Sequence, residues 1–355
     1  MDLEDARLPH NQYTATSSIT EQQAEESPEM LHKYAQDLLQ NRMYQPAQRT
    51  FLRLLQKDPQ DEAAMLGLAE VLDRRERYEE LYTAAQQLLE QRPDSALSLA
   101  YKARALQKLE RYSAATVAND QALLLDSRLG LAWINRSGLQ LLQGKLPEAL
   151  RSSFRAIEFA PGDSRAWANH SIALLNYERL GEALDAIDHS LKIDPESLFS
   201  LQIKGELLCK LGRMQEVLPV VRAALALQPT HIPSLIQAAQ ALRQLEMYEM
   251  LKEVAHQLTQ LMPQELFVWE HYMRALRGLG QYTDALAALD YLIELDPSNA
   301  RFWTFKADTL YRLERYREAS GASERALRLA PNFAPARRIH DKALRLMYQR
   351  KEKRS

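Results

Sequence analysis

LFVWEHYMRALRGLGQYTDALAALDYLIELDPSN occupies residues 266–299, and ARFWTFKADTLYRLERYREASGASERALRLAPNF follows directly over 300–333. Laid one above the other, the two stretches align Trp269 with Trp303, Leu276 with Leu310, Tyr282 with Tyr316, Ala285 with Ala319 and Pro297 with Pro331. The same 34-residue step runs back through Pro263, Pro229, Pro195, Pro161, Pro93 and Pro59, and the one place that fails holds Ser127. A spacing kept that long without insertion is one structural unit copied nine times, starting at Pro28, Glu62, Ala96, Gly130, Ser164, Leu198, Ile232, Leu266 and Ala300.

Each column of the repeat has a physical reason. All four tryptophans fall at position 4, as Trp133, Trp167, Trp269 and Trp303, and are read as core. Position 8 is small in most units, and position 11 is Leu in all but one, which has Gln140. Positions 4, 7, 8 and 11 share one face of a helix, and positions 20, 24 and 27 share one face of a second. Small residues at 8 and 20 let the two helices approach closely. Glycines near the break (Gly144, Gly212, Gly280) suit a helix end that needs a left-handed residue. Proline at position 32 stops the second helix. A helix pair with one apolar seam cannot bury it alone, and stacked neighbours can.

This pattern resembles the tetratricopeptide repeat (TPR) family, whose signature has Trp, Leu-Gly, Tyr, Ala, Phe and Pro in these columns. The resemblance covers Pro28 to Phe333 without a slip of register. It implies an all-α fold: a right-handed superhelical solenoid of antiparallel helix pairs, with an inner groove lined by the first helices. Three departures are visible: Ser127 for proline, Met273 at a small position, and polar Asn119 at the apolar position 24.

The expected organisation is a polar, acidic and disordered tail over 1–27, one solenoid over 28–333, and a basic capping helix and tail over 334–355. Ile339, Ala343, Leu346 and Met347 give the cap an apolar stripe. Its cations are Arg337, Arg338, Lys342, Arg345, Arg350, Lys351, Lys353 and Arg354, read either as a solvated face or as a contact for RNA, anionic lipid or an acidic protein. Net charge is −2, which argues against the whole molecule being an electrostatic nucleic-acid binder. A single cysteine, Cys209, excludes an intramolecular disulfide and fits a cytoplasmic location. No apolar run approaches the ~20 residues of a membrane span, and the start of the chain does not read as a signal peptide.

The sequence shows no phosphate-cradling glycine loop, His-Glu-x-x-His pair, paired cysteines or Gly-x-Ser-x-Gly elbow. Neither a catalytic role, a metal nor a cofactor is expected; the expectation is a surface that binds protein.

The resemblance also implies that positions 2, 5, 6, 9, 12 and 13 face the groove. Carried over, these give Tyr101 and Arg104 in the third unit, Asn135 in the fourth, and Arg165, Asn169 and Asn176 in the fifth. Gln237, Gln240 and Arg243 follow in the seventh, then His271, Arg274, Arg277, Arg301 and Arg312 in the last two. Asn135 and Asn169 share one column, and an amide column can pair with the backbone of an extended peptide. The groove-facing positions of the last three units carry five arginines against only Glu270 and Asp308, a wall suited to an acidic segment. The family's clamp for a chaperone's terminal carboxylate is absent, because Ala100, Arg104, Ile134 and Gly138 stand in its places. The leading expectation is an adaptor or assembly factor that holds an extended acidic partner segment. The alternatives are a scaffold that associates with itself, and RNA or membrane contact through the basic C-terminal helix.

Overall fold

The computed structural model describes residues 27–352, so the expected disordered tail lies outside it, apart from Ser27. The first helices of the nine repeats are α1 (Pro28–Gln40), α3 (Glu62–Arg74), α5 (Ala96–Lys108), α7 (Gly130–Leu142), α9 (Ser164–Asn176), α11 (Leu198–Lys210), α13 (Ile232–Gln244), α15 (Leu266–Gly278) and α17 (Ala300–Arg312). The second helices are α2 (Tyr44–Lys57), α4 (Tyr78–Gln91), α6 (Tyr112–Leu125), α8 (Leu146–Phe159), α10 (Leu180–Ile193), α12 (Met214–Leu227), α14 (Tyr248–Leu261), α16 (Tyr282–Leu295) and α18 (Tyr316–Leu329). A last helix, α19 (Ala334–Glu352), follows. Contacts group the chain into two compact units, Met1–Glu178 and Arg179–Ser355. Within each unit successive helices pack together, and first helices also touch first helices of the next repeat.

The columns work as the periodicity requires. Ala35, Ala69, Ala103, Ala239 and Ala307 at position 8 are fully buried, and so is Met273. Ala47, Ala115, Ala149, Ala183, Ala285 and Ala319 at position 20 are buried as well. Position 15 has positive φ in all nine repeats: Gly144, Gly212 and Gly280 at 70–71°, and Arg42, Glu76, Glu110, Glu178, Glu246 and Glu314 at 56–61°. The left-handed residue lets the next N–H reach back to position 11, as from Arg77 to the Leu72 carbonyl at 2.9 Å and from Lys145 to the Gln140 carbonyl at 2.9 Å. Only three repeats use the residue that adopts this conformation without steric cost. First helices often start on a side-chain cap: Ser27, Asp61, Ser95, Asp163, Ser197 and Asn299 each accept a backbone N–H.

The tryptophans are half-buried, not core. Each indole donates to the carbonyl of the position-32 residue just upstream: Trp133 to Ser127 (2.8 Å), Trp167 to Pro161 (2.9 Å), Trp269 to Pro263 (2.8 Å) and Trp303 to Pro297 (3.0 Å). The acceptor is a backbone carbonyl, so serine serves as well as proline, and the gap in the proline series costs no bond. In the seventh repeat, where position 4 is leucine, Gln257 donates to the Pro229 carbonyl at 3.0 Å. Arg337 does the same for Pro331 at 2.9 Å, so the capping helix enters like a tenth repeat. Ala336 and Ala343 of α19 are fully buried, and Ile339 packs on the cluster around Leu310. The side chains of Arg350, Lys351, Lys353 and Arg354 lie outside the described residues.

Asn119 is 1% exposed, and among the described residues neither its amide nitrogen nor its amide oxygen has a partner. A buried amide with donors and acceptor unmet costs about 1–3 kcal/mol. Asn119→Leu, similar in shape and apolar, is therefore expected to stabilise the protein by about 1–3 kcal/mol. An unchanged or lower urea midpoint would contradict this.

Candidate functional site

The groove-facing columns behave differently in the two units. In the first, position 6 is a structural staple. Asn135 is fully buried, and its amide donates to the Ala100 carbonyl of the preceding first helix at 2.9 Å. Asn169 donates to the Ile134 carbonyl at 3.0 Å and to Ser137 Oγ at 2.9 Å. Gln237 repeats the bond in the second unit, to the Gln202 carbonyl at 2.9 Å. The expectation that Asn135 and Asn169 offer their amides to a peptide is thus corrected: the side chain points at the neighbouring first helix, which uses it. Tyr101, in the same column, is buried, and its burial pushes the phenol well above the ordinary range. Asn176 is exposed, with its amide turned back on the Ile172 carbonyl at 2.8 Å.

The first unit's arginines are also engaged. Asp73, with a side chain 2% exposed, accepts from Arg104 Nε at 3.0 Å and pairs with Arg165. Arg165 also binds Asp163 at 2.7 Å. Burial opposes the charge on both carboxylates, but Arg165, with Arg104 at Asp73 and Arg74 at Asp163, more than offsets it, holding Asp73 below its ordinary value and Asp163 at about 2. The network ties the second, third and fifth repeats together across the face. Asp73 occupies groove position 12, so extending the column reading to the second repeat would have found it.

In the second unit α13, α15 and α17, with the starts of α14 and α16, line a pocket of about 480 Å³. Its wall carries Arg243, Arg274, Arg277 and Arg312 and one acid, Glu246, with Phe305, Tyr248 and Tyr282 between them. The guanidinium carbons of Arg274 and Arg277 lie 5.6 and 5.0 Å from the Phe305 ring centre, and that of Arg312 lies 5.5 Å from Tyr282. The backbone of Gly278 runs against the Tyr248 ring, where a Cβ would meet Cγ at 2.4 Å.

The surplus of charge is smaller than the sequence implies. Asp308 pairs with Arg277 and accepts from Arg312 Nε at 3.1 Å, so one carboxylate serves two arginines. Arg274 reaches Glu270 at only 3.7 Å. Among the described residues no acceptor is found for Arg243, and its Nε is shut off from solvent. His271 is neutral beside them: burial first, then Arg243 and Arg274, push its imidazole down to about 4. Gln240 is half-buried, and Arg301 is exposed outside the pocket. The tyrosines were missed as lining because position 17 reads as a packing column.

No other chemistry gathers here. Among the described residues no three His, Cys, Asp or Glu side chains form a metal site, and no helix is long and apolar enough to cross a membrane. Cys209 is half-buried, and burial raises its thiol, which leaves it a poor nucleophile.

A family profile described as tetratricopeptide repeat matches residues 33–96 and 274–332, near the two ends of the repeat array. The intervening repeats keep the same helix lengths, the same left-handed turn and the same register. Those two segments are tetratricopeptide repeats, and the described residues between them keep the same fold. Solved structures agree on the fold. The TPR chain resembles one from the APC/C hetero-tetramer Cut9–Hcn1 at TM-score 0.50 and 17% identity, over 92% of this chain and 57% of that one. It resembles human IFIT1, in a dimer with m7Gppp-AAAA, at 0.53 and 14%, over 86% and 72% of the two chains. It resembles pilF of Pseudomonas aeruginosa at 0.50 and 21%, over 59% and 94%. No curated protein sequence matches it with significance. At these identities the likeness establishes the all-α TPR fold and no partner.

Proposed function

We propose that this TPR protein is a non-enzymatic interaction module, an adaptor or assembly factor of the cytoplasm. It holds an acidic segment of a partner protein against the arginine wall of its second unit. The observation that carries the reading is the contrast between the faces. Arg104 and Arg165 are consumed by buried carboxylates, whereas among the described residues Arg243 has no acceptor and Arg274 has only a distant one. A wall of cations around a concave surface raises the local concentration of an acidic segment, and guanidinium forks then bind its carboxylates in pairs.

The test is fluorescence anisotropy with a labelled glutamate-rich peptide and a lysine-rich control. The acidic peptide is expected to bind and to weaken with salt, and Arg243→Glu with Arg274→Glu should cost at least about tenfold in affinity, or 1.4 kcal/mol. Unchanged affinity in a variant with the wild-type melting curve would sink the reading.

A second reading has its own observation. On second helices of the first unit Leu124 is 85% and Phe154 62% exposed, which favours a scaffold that associates through that face. Sedimentation at rising concentration distinguishes it, since a monomer throughout counts against self-association.

A further inference from the structure

We infer that the pocket of α13, α15 and α17 is built for a phosphate monoester, carried by a phosphorylated side chain of the partner segment. This rests on the acidic-segment reading and names the group that anchors it. The case is one of valence and direction. A carboxylate presents two oxygens in one plane, and a single guanidinium fork can satisfy it. Asp308 already occupies Arg277 and Arg312, both through its Oδ2. What remains is Arg243 with no acceptor and Arg274 with only a long contact to Glu270, from two successive repeats. Donors approaching from separate helices suit a tetrahedral group with three acceptor oxygens and nearly two negative charges at neutral pH.

Three of the cations, Arg274, Arg277 and Arg312, are also held in place before anything binds. The Phe305 ring lies under both Arg274 and Arg277, and Tyr282 accepts from Arg312 at 3.1 Å. Ordering a flexible arginine costs side-chain entropy, and stacking removes part of that cost from binding. The same stacking decides between a phosphopeptide and single-stranded RNA. RNA recognition needs open aromatic faces for bases. Here Phe305 is covered by two guanidiniums and Tyr282 by a third. The pocket's volume, about 480 Å³, leaves room for the phosphate and the side chain that bears it.

The experiment uses the full chain and isothermal titration with three acidic peptides that differ at one central residue: phosphoserine, glutamate or serine. The phosphopeptide is expected to bind at least about tenfold tighter than the glutamate form. Arg243→Gln should erase that margin without altering the fold, since the side chain has no acceptor to lose. Arg301→Gln, outside the pocket, should keep it. Equal affinity for the phosphoserine and glutamate peptides, or a margin that survives Arg243→Gln, would overturn the phosphate assignment and leave the acidic-segment reading standing. Binding of a single-stranded RNA oligonucleotide with no binding of any peptide would overturn both.

Discussion

Asp73→Ala is expected to destabilise the first unit by about 3–5 kcal/mol, the cost of removing one partner from a buried ion network. Asp73 sits between Arg104 and Arg165, whose side chains are 14% and 23% exposed. Without Asp73, Arg104 loses its carboxylate and Arg165 keeps only Asp163, with little water to screen the two guanidiniums. Hydrogen exchange resolved by helix reads the effect: α3, α5 and α9 should lose protection, while α13, α15 and α17 keep theirs. Replacing Asp73 and Arg104 together by apolar residues of similar volume should recover much of the loss, because Arg165 keeps Asp163 and a buried ion pair gains little over good packing. The network also sets an acid limit. Arg165 holds Asp163 at about 2 against an ordinary 3.8. The unfolded chain therefore takes up protons first, so this stabilisation is complete above pH 3.8 and is lost as pH falls toward 2. Asp73 is lowered too, and acts in the same direction. Unchanged protection in Asp73→Ala would mean that the network contributes nothing to the first unit.

Gly67→Ala is expected to cost about 3 kcal/mol, at the upper end for overpacking. An added Cβ would lie 2.3 Å from Cζ and 2.4 Å from Cε1 of Phe51. Phe51 is fully buried, walled in with Leu31, Ala35 and Leu54, so the ring cannot yield without disturbing α1 and α2. Phe51→Ala should cost about 3–5 kcal/mol through the cavity it leaves. In the double variant the new methyl no longer clashes and fills part of that cavity, so the loss should be smaller than the sum of the singles. Additive losses in urea melts would show that the two residues do not share the packing site.

The fold was legible in the sequence because period, helix-stop proline and left-handed turn all repeat in phase, so each repeat confirms the others. What a column does was harder to read. Position 6 was expected to face a ligand, yet Asn135, Asn169 and Gln237 use their amides to join successive first helices. Spacing assigns a side chain to a face but not to one of two neighbours on that face. Position 4 was read as core, yet each indole N–H needs an acceptor and finds it at the edge, on the carbonyl of position 32. The arginines were legible as a class. Which of them are neutralised depends on contacts across repeats, as between Asp73 and Arg165, and no periodicity within one repeat reports those.

The central claim is that the arginine wall of the second unit, and not the first unit's groove face, receives the partner. Hydrogen exchange of the full chain with and without a saturating phosphoserine-containing acidic peptide tests it most directly. The account predicts new protection in α13, α15 and α17, with α3, α5, α7 and α9 unchanged. Protection confined to the first unit's helices, with the peptide bound, would contradict it.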